Sequence, residues 1–418
     1  MKGTPPGREP DPGPPRRLGP RPLALHLAAS LTPLLSSPAG LALLSSGWPN
    51  WSPALRDRAA DLAREVAAAA PAALREAVDR EMRRRADAVL TGVERYRRHP
   101  YRRDLPDPPA AWNEGGSRLL DHASGGGAVT ALFVPSLVNR HYVLDLSAER
   151  SLMRWLAARG VRPLLLDWGR PGPAERGFGL TDYVAGRLEA AVTAAAGIAG
   201  GPVAVVGYCM GGLLAAALAG RRPDLVRGLG LLAVPWDFHA ADASAARRAA
   251  AMLEPLEPAL AAWGEMPVDW LQAMFAAVDP MLAARKFARF AELDPDGAQA
   301  RAFVALEDWL NDGVPLAAPV ARECIAGWYG RNEPGRGCWR VAGRAVEPAR
   351  LAMPALAVIP GRDRIVPPGS ARALAAAVPG AQALEPPLGH IGLVVSGEAE
   401  RLVWEPLLDW LRSLPPSG

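Results

Sequence analysis

Val203-Ala204-Val205-Val206-Gly207-Tyr208-Cys209-Met210-Gly211-Gly212-Leu213-Leu214 is the stretch that decides the fold. The apolar run Val203 to Val206 has the character of a strand buried on both faces, and the Leu- and Ala-rich segment Leu213 to Leu218 that of a helix. Between them Gly207-Tyr208-Cys209-Met210-Gly211 reads as a tight turn with a cysteine at its tip. Glycine on both sides of such a turn lets strand and helix approach closely. The spacing is G-x-S-x-G with cysteine in place of serine. A thiol held there stands clear of the sheet near the amino end of a helix, which favours the nucleophilic thiolate. The competing reading is a small buried cysteine in a strand-to-helix turn, so the partners decide.

A nucleophile on this kind of elbow needs a base, and in α/β-hydrolases nucleophile, acid and base follow in that chain order. Of the six histidines, His26, His99, His122, His141, His239 and His390, only His390 lies where such a base belongs. It sits in Leu388-Gly389-His390-Ile391-Gly392, after a short apolar segment around Ala383-Leu384 and before a terminal helix expected over 399–414. One strand earlier, Ala355 to Ile359 leads into Gly361-Arg362-Asp363-Arg364-Ile365-Val366-Pro367, which makes Asp363 the candidate orienting carboxylate. Singly, Asp363 could be a turn former and His390 a satisfied loop histidine; order and strand context join them.

Apolar runs at 129–134, 161–166, 203–206, 229–234 and 355–359 alternate with helical patterns at 148–159, 181–198, 210–221 and 370–377. Strands buried on both faces and joined by helical crossovers predict an α/β fold of the α/β-hydrolase type, with a doubly wound, mainly parallel sheet. The interval from Trp236 to Trp309 breaks the alternation. It is helical, punctuated by proline, and carries Trp263, Trp270, Phe275, Phe287 and Phe290, as expected of a cap over the site or of a cap with its own aromatic core. The organisation expected is a disordered Pro/Gly/Arg-rich tail over 1–21 and a helical N-terminal region over 22–118. The first part of the core follows over 119–236, then a helical cap insertion over 237–308 and the rest of the core over 309–418.

With 418 residues, half of them hydrophobic, the chain can bury a large core. The net charge of +4 does not point to nucleic acid. Nearly all the basic residues are arginines dispersed among acids, with only Lys2 and Lys286, and no basic run is interleaved with aromatics. Cys209, Cys324 and Cys338 form neither a disulfide framework nor a metal-ligand spacing; a reduced, cytoplasmic compartment suits a catalytic thiol. No metal or redox cofactor is expected. Residues 22–48 are apolar, but Pro33, Pro38 and several serines interrupt them short of the ~20 residues a spanning helix needs, so a short helical cap is expected there and no transmembrane segment. Ser52-Pro53 reads as a helix start, and after Pro71 a second helix sets Leu74, Val78, Met82, Val89 and Val93 on one face against Arg80, Arg83, Arg84 and Arg85.

Several of these stretches together resemble the polyhydroxyalkanoate synthases, α/β-hydrolase-type acyltransferases with a cysteine nucleophile. The resemblance runs over about residues 119–410. It rests on Val134-Pro135-Ser136-Leu137-Val138-Asn139-Arg140-His141-Tyr142-Val143-Leu144-Asp145-Leu146, Leu166-Asp167-Trp168-Gly169, the cysteine turn, Trp309 with Asp312, Trp328-Tyr329, and the Asp363 and His390 loops. It departs from the family in the order Leu310-Asn311 between Trp309 and Asp312, in the cap and in the N-terminal region. It implies that Cys209 takes the acyl group of a 3-hydroxyacyl-CoA, His390 acts as base and Asp363 orients it, with CoA released and a polyester extended. The oxyanion would be met by the backbone N–H of Met210 and by the 136–139 loop, at Val138 or Asn139. The resemblance also implies a cytoplasmic protein, with the polyester granule surface and a homodimer or partner subunit as expected associations. The rival readings are a thioesterase or polyester depolymerase using the same three residues, and a non-catalytic granule-associated protein.

Overall fold

The computed structural model describes residues 17–46, 50–123, 127 and 129–415. The chain divides into two compact units, one of 1–101 with 279–311, the other of 102–278 with 312–418.

The larger unit is an α/β hydrolase fold. The eight strands of its main sheet are β1 (Ala110–Glu114), β2 (Ser117–Asp121), β3 (Val129–Val134), β4 (Val161–Asp167), β5 (Val203–Tyr208), β6 (Val226–Leu232), β7 (Ala355–Val358) and β8 (Gln382–Leu384). They lie in the order β1-β2-β4-β3-β5-β6-β7-β8. β1 and β2, and β2 and β4, pair antiparallel; every pairing from β4 to β8 is parallel. Every residue of β3 and β5 is buried, which is why these strands read as unbroken apolar runs. Each such Val or Leu contributes roughly 2 kcal/mol by leaving water. Helix Met210–Arg221 has the predicted bounds and is buried along nearly its whole length.

The first two strands depart from expectation. Residues 110–118 were expected within the helical N-terminal region, whereas β1 and β2 complete the edge of the sheet and the core unit begins at Arg102. β1 is exposed at four of its five positions, so its sequence carries no apolar alternation; the marker is the turn Gly115-Gly116, where Gly115 has φ +55°. The helix expected over 148–159 shortens to Leu152–Ala157, because 145–147 and 150–151 form a small antiparallel ribbon. The helix expected over 181–198 begins as a π-helical stretch, Asp182–Leu188, before Glu189–Ala199.

The segment expected as one cap, 237–308, is shared between the units: 237–278 stays with the hydrolase core and 279–311 packs with the N-terminal helices. Phe287 and Phe290 are buried with Val93, Tyr96 and Val304 in the smaller unit, so these aromatics are core side chains. Helix Pro71–Arg98 crosses helix Leu282–Phe290 at Gly92, where a Cβ would stand 1.9 Å from the carbonyl oxygen of Phe287. Of the tail expected to be disordered, 1–16 lie outside the described residues. Arg17, by contrast, is buried, pairs with Asp308 at 2.6 Å and donates to the carbonyls of His99 and Tyr101. Ser52 makes no side-chain cap, and the helix it was expected to start runs as a short 3-10 turn into Arg56–Ala68. No single helix among the described residues is long and apolar enough to cross a membrane; Leu23–Leu35 with Ser37–Leu44 reaches that apolarity only as a pair bent by 45°.

Candidate active site

Cys209 stands between β5 and helix Met210–Arg221 with φ +54° and ψ −128°, a backbone that non-glycine residues rarely adopt. Its N–H donates to the Leu232 carbonyl at 2.8 Å, and its own carbonyl accepts from Gly212 N–H at 2.9 Å, so the tip is held from both sides. A Cβ at Gly207 would lie 2.3 Å from the Gly212 Cα, and one at Gly211 2.1 Å from the Val134 carbonyl oxygen. Both glycines of the pentapeptide are therefore required by contact with backbone.

Asp363 and His390 come from the loops after β7 and β8. Asp363 Oδ1 accepts from the N–H groups of Ile365 and Val366 at 2.8 and 2.9 Å, which leaves Oδ2 to face the imidazole. His390 Nδ1 and Asp363 Oδ2 are 2.6 Å apart, with both residues buried. The two loops are tied by backbone bonds, Gly361 N–H to the Pro386 carbonyl at 2.8 Å and Arg362 N–H to the Leu388 carbonyl at 2.9 Å. The Tyr208 hydroxyl donates to the His390 carbonyl at 3.3 Å. Burial, then the charges on Cys209 and Asp363, push that phenol well above its ordinary range and keep it a neutral donor.

Burial alone would lower the His390 pKa, but the charge on Cys209, the hydrogen bond to Asp363 and a further one to Cys209 raise it to about 10. The sequence-chosen residues thus converge, with His390 between thiol and carboxylate. Because the folded value lies above the ordinary histidine value, protonated His390 stabilises the fold below about pH 6.5, and the contribution is lost as pH rises through about 10. Nitrogen-15 NMR of the His390 ring is expected to show titration near pH 10, and in Cys209→Ala to show it fall toward the ordinary histidine range, since the first of the raising charges is gone. Titration unchanged by the substitution would show that Cys209 does not raise the His390 pKa.

Met210 begins the elbow helix, which has no side-chain cap, so its N–H is among the first-turn donors without a helical acceptor. The 136–139 loop divides differently from expectation. Val138 N–H donates to Ser136 Oγ at 3.1 Å and is already committed, which leaves Asn139 as the loop's candidate donor. The loop meets residues 312–314. Val314 N–H donates to the Val138 carbonyl at 3.1 Å, Asn139 bridges Gly313, and the Tyr142 hydroxyl donates to Asp312 Oδ2 at 3.1 Å. Two of the quoted sequence stretches are therefore physical neighbours.

Sequence reasoning singled out Trp328-Tyr329 for the resemblance but did not place Phe238 against them. Phe238 stacks on Trp328 with ring centroids 5.7 Å apart and meets Tyr329 edge-on at 4.9 Å. Asn332, at φ +54°, fixes that loop by accepting from Phe238 N–H and donating to Asp237 Oδ1. His239 Nε2 lies 2.9 Å from the Tyr329 carbonyl. The signal was the pairing of Trp236-Asp237-Phe238-His239 with the segment from Trp328 to Asn332, which only proximity in space reveals.

This fold and elbow are those of an α/β hydrolase, and the family model described as alpha/beta hydrolase fold matches residues 145–396. Among curated relatives, the poly(3-hydroxyalkanoate) polymerase subunit PhaC of Allochromatium vinosum is 31% identical over 291 residues, covering 68% of this chain and 80% of that protein. The subunit of the same name from Haloferax mediterranei is 29% identical, covering 69% of this chain and 60% of that protein. A solved α/β hydrolase fold protein from Nakamurella multipartita is 18% identical, with a TM-score of 0.45 over 73% of this chain and 99% of its own. Within the α/β hydrolases, the chain belongs to the poly(3-hydroxyalkanoate) polymerase family.

Proposed function

We propose that the chain is a poly(3-hydroxyalkanoate) polymerase subunit, an acyltransferase that releases CoA from 3-hydroxyacyl-CoA and adds the acyl unit to a polyester. The observation that carries this reading is the Asp363–His390 pair, 2.6 Å apart and aimed at an elbow cysteine, in a chain of this family. Cys209 attacks the thioester carbonyl, the sulfur of CoA leaves with the proton that His390 carried, and the acyl group rests on Cys209 beside a now neutral imidazole. Exchange between two thioesters is nearly balanced, so the enzyme holds the acyl group without committing it to water. His390 then takes the proton from the hydroxyl of a second 3-hydroxyacyl unit, whose oxygen attacks the acyl-enzyme and forms the ester. Asp363 holds the imidazole in the tautomer that accepts at Nε2. Met210 and Asn139 N–H groups meet the oxyanion in both steps. The chain works in the cytoplasm, where its substrate is made, and at the surface of its insoluble product. The relatives' designation as subunits supports assembly with a second polypeptide, and a homodimer is the other outcome that a mass measurement in solution would show.

The test is a paired assay of the purified chain with 3-hydroxybutyryl-CoA that follows thiol release and acyl product together. CoA release with an insoluble polyester is the expected result. CoA release with free 3-hydroxybutyrate and no polymer would make the chain a thioesterase and overturn the polymerase reading.

A further inference from the structure

A second buried histidine–aspartate pair lies outside the triad. His141 Nδ1 stands 3.0 Å from Asp167 Oδ1, off the line of the ring N–H, and both side chains are buried. Asp167 ends β4, the neighbour of β3 in the sheet, and His141 follows the loop that leaves β3 and carries Asn139. The contact therefore sets the far end of that loop against the top of the adjacent strand. On the other side the same loop is held by Asp312, Gly313 and Val314 through Tyr142, Asn139 and Val138. Burial on its own would raise the Asp167 carboxyl. His141, then Arg118 and the Gly169 N–H, overturn this and hold it below the usual carboxylate range.

The pair is not needed to neutralise Asp167. Arg118 donates to Asp167 Oδ2 at 2.7 and 3.2 Å, and Gly169 N–H donates to Oδ1 at 3.0 Å. A change at His141 thus leaves the buried carboxylate compensated and the strand end satisfied. What His141 adds is the tie from Asp167 to the loop. We propose that His141 is a positioning residue: through Asp167 it sets the Asn139 backbone N–H where the tetrahedral oxyanion forms on the acyl group of Cys209.

This rests on Cys209 as nucleophile but not on the identity of the acyl donor, which fixes the test. Acylation of Cys209 by p-nitrophenyl butyrate passes through an oxyanion: the thiolate adds to the ester carbonyl and p-nitrophenolate leaves. Alkylation by iodoacetamide displaces iodide at a saturated carbon and forms no oxyanion. Both rates are read at the Cys209 peptide by mass spectrometry, because Cys338 is more exposed than Cys209. His141→Phe is expected to slow acylation by about tenfold or more and leave alkylation unchanged. His141→Asn, which restores a donor near Nδ1, is expected to recover most of the loss. In turnover with 3-hydroxybutyryl-CoA, the Phe variant is expected to lower kcat with KM little changed. Equal slowing of acylation and alkylation, or acylation at the unsubstituted rate, would overturn the positioning role. Failure of turnover with CoA thioesters alongside the expected acylation pattern would overturn the polymerase reading and leave this inference standing.

Discussion

Cys209→Ala is expected to reduce CoA release from 3-hydroxyacyl thioesters by about 10⁴-fold or more, with no change in secondary structure by circular dichroism. The size follows from the division of labour at the site. His390 and Asp363 can still orient a water, but there is no atom on which the acyl group can rest, and the step that exchanges one thioester for another disappears. The fold should survive because the elbow is set by backbone contacts at Gly207 and Gly211 and by the Cys209 N–H to Leu232, none of which uses the sulfur. Cys209→Ser is the informative companion. The serine hydroxyl would not be ionised by a neighbouring imidazolium, and an oxygen ester is a poorer acyl donor than a thioester, so transfer should remain at least about 10²-fold below that of the unsubstituted protein. Polymer formation by Cys209→Ala at more than a thousandth of the normal rate would remove the cysteine from the mechanism.

Gly211→Ala is expected to be the most destabilising single-methyl change at the elbow, at about 3 kcal/mol or more, read as a lowered denaturant midpoint or as failure to accumulate folded protein. The added Cβ would sit 2.1 Å from the Val134 carbonyl oxygen and 2.5 Å from that of Pro135, and neither can move without displacing the end of β3. Gly212→Ala is the control. Its Cβ would meet Val234 Cγ2 at 2.0 Å and Val234 Cβ at 3.0 Å, atoms of one buried side chain that can shift without moving a strand's backbone, so a smaller loss is expected. An equal loss at both positions would mean that helix packing in general, not the approach of the elbow to β3, requires the glycines.

That difference between neighbouring glycines also explains how much of the molecule its sequence disclosed. Gly207 and Gly211 were readable because their spacing encodes a backbone approach, and β3, β4 and β5 because strands covered on both faces admit only apolar residues. His390 and Asp363 followed from chain order, which the parallel sheet converts into adjacent loops. The edge strand β1 was hidden, since an exposed strand carries no apolar signature. The split of 237–308 was hidden for another reason. The face of helix Leu282–Phe290 that buries Phe287 and Phe290 looks the same in sequence whether its partner is a cap or the helix Pro71–Arg98. The commitment of Val138 N–H to Ser136 was equally invisible, because a hydroxyl two residues away signals a turn without saying which donor it consumes.

The bonds from Gly361 to Pro386 and from Arg362 to Leu388 make the acid loop and the base loop one mechanical piece. An insertion or deletion in either shifts the other, so the lengths of these loops are coupled and poorly suited to redesign. The aromatic loop from Trp236 to His239 is anchored through Asn332 and the Tyr329 carbonyl, and at its start through Ser370 Oγ, which accepts from Trp236 N–H at 3.1 Å. Exchanges among Phe238, Trp328 and Tyr329 therefore change ring packing without touching the bonds that join the Asp363 and His390 loops.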